Sequence, residues 1–204
     1  IEALALIKKH CARVNMEMGR LDPDIASAIV QAAQEVAAGR FQDQFPVDVF
    51  QTGSGTSTHM NMNEVLAARA NELLTGRRAD KRPTHPNDHV NMGQSSNDVM
   101  PTAFHVAAAR GLREKLLPAL ERLEAALAKK AVAFSDISKI GRTHLQDAVP
   151  MRLGDEFSAF SRQMALGMER IHSAEGRLQE LALGGTAVGN GLNTVKGFAE
   201  RVIE

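Results

Sequence analysis

Apolar residues recur along most of this chain at the three- and four-residue spacing of amphipathic helices. The pattern predicts four helices, over 2–19, 23–39, 58–75 and 102–134. Asp22 is the predicted N-cap of the second helix, with Pro23 at its first position and Gly39 at its end. Gly111 and Pro118 are candidate breaks in the fourth.

A fifth predicted helix, over 154–181, has the clearest pattern, because its apolar and small residues form two rows of seven-residue spacing. One row is Phe157, Met164, Ile171 and Leu178, and the other is Phe160, Gly167, Ala174 and Leu181. Two such rows form a seam that packs against neighbouring helices in a bundle. A single short bundle does not need so long a helix, so we expect part of the seam to face another subunit.

Strand patterns are weak and occur only over 47–51 and 137–140. We find no alternation of strands with helices and no internal repeat, so the predicted fold class is all-α. The remaining segments are predicted to be irregular: 51–57, 79–96, 135–151 and 183–194. Long loops in a compact domain are usually functional, which makes these segments the places to look for a site.

The composition excludes several classes of protein. The 204 residues carry 24 Lys plus Arg and 24 Asp plus Glu, and they include neither Trp nor Tyr. Balanced charge and few stacking side chains argue against a nucleic-acid partner. No apolar run approaches the roughly 20 residues that cross a bilayer, and Cys11 has no second cysteine with which to pair. The chain begins inside a predicted helix and ends as another starts, so we expect a piece of a longer protein.

Polar side chains are dense in the irregular segments, and the first dense stretch is 52–58, TGSGTST. Its glycines let backbone N–H groups point outward, its hydroxyls add donors, and it leads into a helix N-terminus, so it suits a carboxylate or phosphate. No Gly-Lys-Ser/Thr follows, so it is not a P-loop. A plain Ser/Thr N-cap is an equal alternative.

Two further stretches carry chemistry. Ser95, Ser96 and Asn97 precede a helix and could hold a carboxylate, although Ser96 or Asn97 could instead be a plain N-cap. Thr143 lies beside His144 in GRTHLQD, and a histidine pKa can lie near neutrality. A hydrogen-bonded structural role is the alternative for a lone histidine.

Three features have weaker interpretations. The stretch HPNDH, 85–89, is a poor metal site, because its proline breaks the helical geometry that a pair of histidines four residues apart needs. The alternative is an anion site formed by Arg82, His85 and Asn87. The stretch 183–191, LGGTAVGNG, lacks the GxGxxG spacing and is predicted to be a tight connection between helices. The pattern assigns no role to His59.

Taken together, four segments resemble the fumarase/aspartase superfamily, and within it the class II fumarases most. They are TGSGTSTHMNMN (52–63), HPNDHVNMGQSSNDVMP (85–101), GRTHLQDAVP (141–150) and LGGTAVGNGLNT (183–194). The resemblance implies a mostly helical homotetramer around a bundle of long helices, with 1–96 in an N-terminal lyase domain and 97–204 at the start of the bundle domain. It implies active sites built from three chains that add water or an amine reversibly across fumarate, without metal or organic cofactor. A cytoplasmic enzyme, or a mitochondrial one in a eukaryote, is expected.

The resemblance also assigns roles to residues. His144 would act through a bound water in acid/base chemistry. It also favours a hydratase, because aspartate ammonia-lyases typically carry Gln at this position. Ser96 favours a hydratase too, since aspartases tend to have Thr in its place. The substrate-binding set is Ser54, Gly55, Thr56, Ser95, Ser96, Asn97 and Thr143. A second dicarboxylate site near the entrance comprises Arg82, His85, Asn87 and Asp88. The alternatives to a fumarate hydratase are an aspartate ammonia-lyase and a non-catalytic helical scaffold of the same superfamily.

This chain departs from the family pattern at His59, where Asn is usual, and at Asn190, where Thr is usual. A third family signature is a mobile loop that carries the carbon-acid base and a carboxylate-binding Lys. The resemblance places that loop beyond Glu204, so we expect little activity from these residues alone.

Overall fold

The structure, a computed structural model, describes residues 1–48, 50–78 and 81–204. Its helices are α1 (Glu2–Glu17), α2 (Pro23–Ala37), α3 (Thr56–Thr75), α4 (Ser96–Gly111), α5 (Leu117–Ala133), α6 (Leu153–Leu178) and α7 (Phe198–Ile203). A hairpin of two antiparallel strands, β1 (Ser138–Thr143) and β2 (Gln146–Arg152), lies between α5 and α6 in sequence. The chain forms two compact units, Ile1–Ala107 with Leu181–Glu204, and Ala108–Glu180.

The first unit is built on α1, α2 and α3, which pack around a core rich in alanine. The predicted cap of α2 is confirmed, because the Asp22 carboxylate accepts the backbone N–H groups of Asp24 and Ile25 at 2.9 and 3.1 Å. Small side chains on α2, such as Ala26 and Ala33, are fully buried and let the helices approach closely. The apolar periodicity therefore placed these helices correctly to within about two residues.

The second unit is built on α5 and α6, which pack against each other. The rings of Phe134 and Phe157 meet edge to face, with centroids 5.2 Å apart, and Ser161 Oγ donates to Glu124 Oε1 at 2.8 Å. The row of α6 that begins at Phe157 is half-buried, whereas Phe160 of the other row is 47% exposed. The expectation that part of the seam faces another subunit stays a prediction.

The predicted helix over 102–134 begins earlier, at Ser96, and is not uniform. One wider, π-type turn, Leu112–Leu116, separates α4 from α5. It lies between the two candidate breaks, Gly111 and Pro118, and Pro118 has no N–H with which to continue the regular hydrogen bonding. The sequence thus located the irregularity, and the structure shows that the chain remains helical through it.

The prediction that 135–151 is irregular is wrong, because the segment is mainly the β-hairpin. The strand pattern over 137–140 marks β1, but β2 is mostly exposed and contains Pro150, so it gave no strand pattern. The predicted strand over 47–51 is also wrong for its described residues, since Asp48 accepts the N–H of Phe50 at 2.7 Å in a local turn. Val49 of that segment lies outside the described residues.

The segment 183–194 is irregular, as predicted, and leads to α7. The segment 79–96 contains one π-type turn, Pro86–Val90, and its residues 79 and 80 lie outside the described part of the chain. Among the helices that the structure describes, none is both long enough and apolar enough to cross a membrane. The domain boundary at residues 96 and 97 stays a prediction about the family fold.

Candidate active site

The first candidate segment leads into α3, which begins at Thr56 rather than at 58. Its N-cap is Gly55, which has a φ of +70°, so the alternative of a Ser/Thr N-cap is wrong. Ser54 Oγ and Thr56 Oγ1 lie 3.0 Å apart on either side of that glycine. No side chain of the described residues caps this helix, so its first N–H groups can donate to an anion, together with the one hydroxyl proton that the Ser54–Thr56 pair does not use internally.

Gly55 also fixes how closely α3 approaches α4. A β-carbon at this position would collide with the end of the Met100 side chain, which is buried in the core. A residue with a side chain would in addition be strained at this positive φ. The glycine therefore allows the N-terminal turns of the two helices to lie side by side.

Ser95 caps α4 and does so with the help of Asp98. Ser95 Oγ accepts the N–H of Asn97 at 3.2 Å, and the Asp98 carboxylate accepts the N–H of Ser95 at 2.9 Å. Together the two contacts cap the helix, with the Ser95 side chain accepting from the second residue of α4 and the Asp98 side chain reaching back to the N–H of Ser95. The plain N-cap is therefore Ser95, not Ser96 or Asn97 as the alternative held, and its hydroxyl oxygen is committed to the helix.

The Asn97 side chain is also engaged, because its Nδ2 donates to the carbonyl oxygen of Ala187 at 2.7 Å. Asp98, which is buried, uses its second oxygen to accept the N–H groups of Gly184 and Thr186. Both contacts join the N-terminus of α4 to the segment 183–191. That glycine-rich segment is therefore held against α4. It connects two helices, as predicted, but the connection is not tight, because α6 ends at Leu178 and α7 begins at Phe198.

Ser96 has a different partner, His59 of α3. The Nδ1 atom of His59 lies 2.7 Å from Ser96 Oγ, and the imidazole is completely buried while Ser96 is partly exposed. Burial, reinforced by the nearby Lys8 ammonium, lowers the pKa of His59 to about 3, so the ring is neutral. This contact, together with the packing of Gly55 on Met100, brings the TGSGT and SSN segments together.

A buried lysine holds the chain just before these serines. Lys8 of α1 is completely buried, and its Nζ donates to Asn91 Oδ1 and Gln94 Oε1, both at 2.9 Å. Burial lowers the pKa of Lys8 to about 7 and raises that of the adjacent Cys11 thiol to about 12. The sequence reasoning missed Lys8, although a polar residue among the apolar positions of α1 was a signal for it.

The second candidate site is organised by His85, which begins the turn Pro86–Val90. Its Nδ1 accepts the N–H groups of Asn87 and Asp88, both at 3.2 Å, so the proton of the neutral ring lies on Nε2. Asp88 Oδ2 lies 3.2 Å from the same nitrogen, and the side chains of Arg82 and Asn87 are exposed. The N–H of His85 donates in turn to His89 Nδ1 at 2.9 Å.

The second site is anchored to α3 by a side chain that the sequence reasoning missed. Asn71 Oδ1 accepts the N–H of Thr84 at 2.6 Å, and Asn71 Nδ2 donates to the carbonyl oxygen of the same residue at 3.0 Å. Both residues are buried. Because Thr84 directly precedes His85, this amide fixes the start of the second-site turn.

Thr143 and His144 belong to the other compact unit, where they lie at the tip of the β-hairpin. Thr143 pairs with Gln146, and the two loop residues His144 and Leu145 have φ values of +50° and +63°. Positive φ at both positions is the requirement of a tight type I′ turn, and it costs about 1 kcal/mol for each residue that is not glycine. Thr143 and His144 are both exposed, so the hairpin presents an imidazole at its tip.

The described residues contain no cluster of three His, Cys, Asp or Glu side chains placed to hold a metal ion. In HPNDH, the Nδ1 atoms of His85 and His89 both accept backbone N–H groups. What the first unit offers instead is a set of neutral donors, namely hydroxyls and helix N–H groups, beside two helix N-termini. Such a set suits an anion with several oxygens.

Comparison with known proteins gives consistent findings. A family model described as lyase matches residues 1–204. Class II fumarate hydratase of Nitrosomonas europaea is 59% identical over 202 residues, which are 99% of this chain and 44% of that protein. Mitochondrial fumarate hydratase of Rattus norvegicus is 56% identical over 202 residues, 99% of this chain and 40% of that protein. The chain thus spans less than half the length of these curated relatives.

The fold agrees with the sequence. A crystal structure of recombinant class II fumarase from Schistosoma mansoni matches with a TM-score of 0.94 at 47% identity, over 98% of this chain and 42% of that one. The family model covers both compact units and all four motif segments. The chain therefore belongs to this lyase family, as its resemblance to the fumarase/aspartase superfamily predicts.

Proposed function

We propose that the protein that contains this chain is a fumarate hydratase, which adds water reversibly to fumarate to form (S)-malate. The observation that carries the proposal is the meeting of two donor-rich segments at the N-termini of α3 and α4, joined by the contact between His59 and Ser96. The fumarate hydratases among the relatives support this choice of substrate.

The chemistry requires donors of this kind. Malate must lose a proton from the carbon next to a carboxylate, and the resulting carbanion is stabilised as a doubly charged carboxylate. Fixed donors that meet this developing charge lower the barrier more than they strengthen the binding of the ground state. The residues that the family resemblance assigns are proposed to supply donors to both carboxylates of the substrate, and only one of these carboxylates takes up the charge of the carbanion. These residues are Ser54, Thr56, Ser95, Ser96, Asn97 and Thr143, with Gly55 shaping the backbone.

His144 is proposed to act through a bound water as part of the acid/base apparatus. Its exposed place at the tip of a tight hairpin suits a group that reaches into a site formed with other chains. We propose that the active sites lie at the subunit junctions of a homotetramer, and that three chains contribute to each.

The second dicarboxylate site is proposed at the turn that begins with His85. With Nδ1 occupied by backbone N–H groups, the Nε2–H of His85 is left to donate to an anion. The exposed guanidinium of Arg82 supplies a positive charge nearby in sequence, and Asn87 and Asp88 complete the turn.

The test of this function is to incubate the full-length protein with fumarate in a buffer that contains ammonium and to identify the product by NMR. Malate is the expected product. Aspartate as the sole product would show that the protein is an ammonia-lyase and would refute the proposal. No product from a protein that also carries the third family signature would favour the non-catalytic scaffold.

A further inference from the structure

One buried side chain next to the proposed substrate donors has an unbalanced set of hydrogen bonds. His59 is 0% exposed, its Nδ1 lies 2.7 Å from Ser96 Oγ, and its Nε2 has no hydrogen-bond partner among the described residues. Leaving a buried polar atom unpaired costs about 1–3 kcal/mol. A packing role alone would be filled at lower cost by an apolar side chain, so the imidazole calls for another explanation.

The position of the ring proton follows from this imbalance. If the proton were on Nε2, the ring would bury an N–H without an acceptor, which is rare in folded proteins. The proton therefore belongs on Nδ1, where it meets Ser96 Oγ.

This tautomer decides what the Ser96 hydroxyl can do. If Nδ1 were an acceptor, Ser96 would have to donate its proton to the ring and could only accept from a ligand. With Nδ1–H as the donor, one lone pair of Ser96 Oγ is occupied and the hydroxyl proton remains available. The neighbouring Ser95 hydroxyl likewise accepts one N–H, that of Asn97, and keeps its own proton, but only Ser96 is held by a buried imidazole.

We propose that His59 is a positioning residue, whose Nδ1–H donates to Ser96 Oγ and so directs the Ser96 hydroxyl proton toward a carboxylate of the substrate. The inference rests on the proposed function for the identity of that substrate. The contact between His59 and Ser96 and the choice of tautomer rest on the structure alone.

The tautomer has a direct test that does not depend on activity. The full-length protein is labelled with 15N at histidine, and the ring nitrogens of His59 are assigned from the signals that disappear in the variant His59→Asn. We expect Nδ1 to be protonated and Nε2 to be unprotonated at pH 7. A protonated Nε2 with an unprotonated Nδ1 would overturn the proposal.

The effect on the substrate is tested by kinetics with two variants. His59→Leu removes the donor, whereas His59→Asn retains an amide N–H at nearly the place of Nδ1. We expect His59→Leu to raise the KM for fumarate about tenfold, with kcat changed less than about threefold, because a carboxylate contact is made in both ground and transition states. His59→Asn is expected to recover most of the wild-type KM. Equal losses in both variants would contradict a role for the donated proton.

A double-mutant cycle separates positioning from general damage to the fold. If His59 acts through Ser96, then His59→Leu should add no more than about twofold to the KM in a Ser96→Ala background. A tenfold effect that persists there would overturn the proposal. If the wild-type protein does not hydrate fumarate at all, the proposed function fails, and the 15N spectrum still decides whether His59 donates to Ser96.

Discussion

The Oδ2 atom of Asp98 accepts a 2.9 Å hydrogen bond from the backbone N–H of Thr186, which lies 88 residues further along the chain. The same oxygen accepts from Gly184 at 3.1 Å, and the other oxygen accepts from Ser95 at 2.9 Å. A single buried carboxylate therefore holds the N-terminus of α4 and the segment before α7 in place. Three backbone N–H groups replace the water that this buried side chain would otherwise bind.

Replacing Asp98 by Asn should strongly destabilise the fold. The amide keeps the shape but has one acceptor oxygen in place of two, and its NH2 group would point at an N–H donor. We expect the free energy of unfolding in urea to fall by about 2–4 kcal/mol. Asp136→Asn, at a carboxylate that is 99% exposed, is the control and should change stability by less than about 0.5 kcal/mol. A loss below about 1 kcal/mol for Asp98→Asn would contradict the anchoring role.

The variant Gly55→Ala should show whether α3 begins with glycine only because of its positive φ, or also because the Met100 side chain lies so close. Gly55 and Gly19 have nearly the same φ, +70° and +67°, but only at Gly55 does a β-carbon meet another side chain, that of Met100. Gly19→Ala should therefore lose about 1 kcal/mol from backbone strain alone, and Gly55→Ala about 1–3 kcal/mol more from overpacking. Thermal or urea unfolding measures both losses, and equal losses would show that Met100 simply moves aside.

The buried Lys8 should make stability depend on pH above neutrality. Its pKa is lowered by burial to about 7 in the folded protein, whereas in the unfolded chain it returns to about 10.4. Above about pH 7 the unfolded state binds more protons at Lys8, so stability rises with pH, by up to about 1.4 kcal/mol per pH unit. The buried Cys11 thiol, whose pKa is raised to about 12, opposes this rise above about pH 8.5, where the thiol of the unfolded chain ionises. Below about pH 7 both states are protonated, and this contribution is constant.

The measurement is the free energy of unfolding in urea at several pH values between about 7 and 9. We expect the rise in the wild type to be absent in Lys8→Met, which keeps the length of the side chain but cannot titrate. Lys9→Met, at the next residue of α1, should retain the rise. An identical pH dependence in the wild type and Lys8→Met would refute the prediction.

The fold could be predicted where local pattern determines it. The helices of the first unit follow from apolar periodicity and from the cap at Asp22, which act within a few residues. The β-hairpin could not be predicted, because β2 is exposed and its turn has His144 and Leu145 at positions where Asn-Gly is usual. A hairpin turn without Asn-Gly cannot be recognised from its sequence alone.

The candidate site was predictable as a set of polar segments but not as a set of contacts. The motif that contains Ser95 and Ser96 was recognisable, yet only the structure separates the capping hydroxyl from the one that meets His59. Lys8 lies more than 80 residues before the side chains that it contacts. Contacts at such separations depend on how α1 packs against the segment that precedes α4, which periodicity does not specify.

The central claim of the proposed function is that His144 takes part in the acid/base chemistry of a fumarate hydratase. The measurement that tests it most directly is the rate at which the full-length variant His144→Gln hydrates saturating fumarate. We expect that rate to fall by about 10²–10⁴-fold, with the dissociation constant for fumarate changed less than about threefold. Turnover at the wild-type rate by His144→Gln would contradict the account.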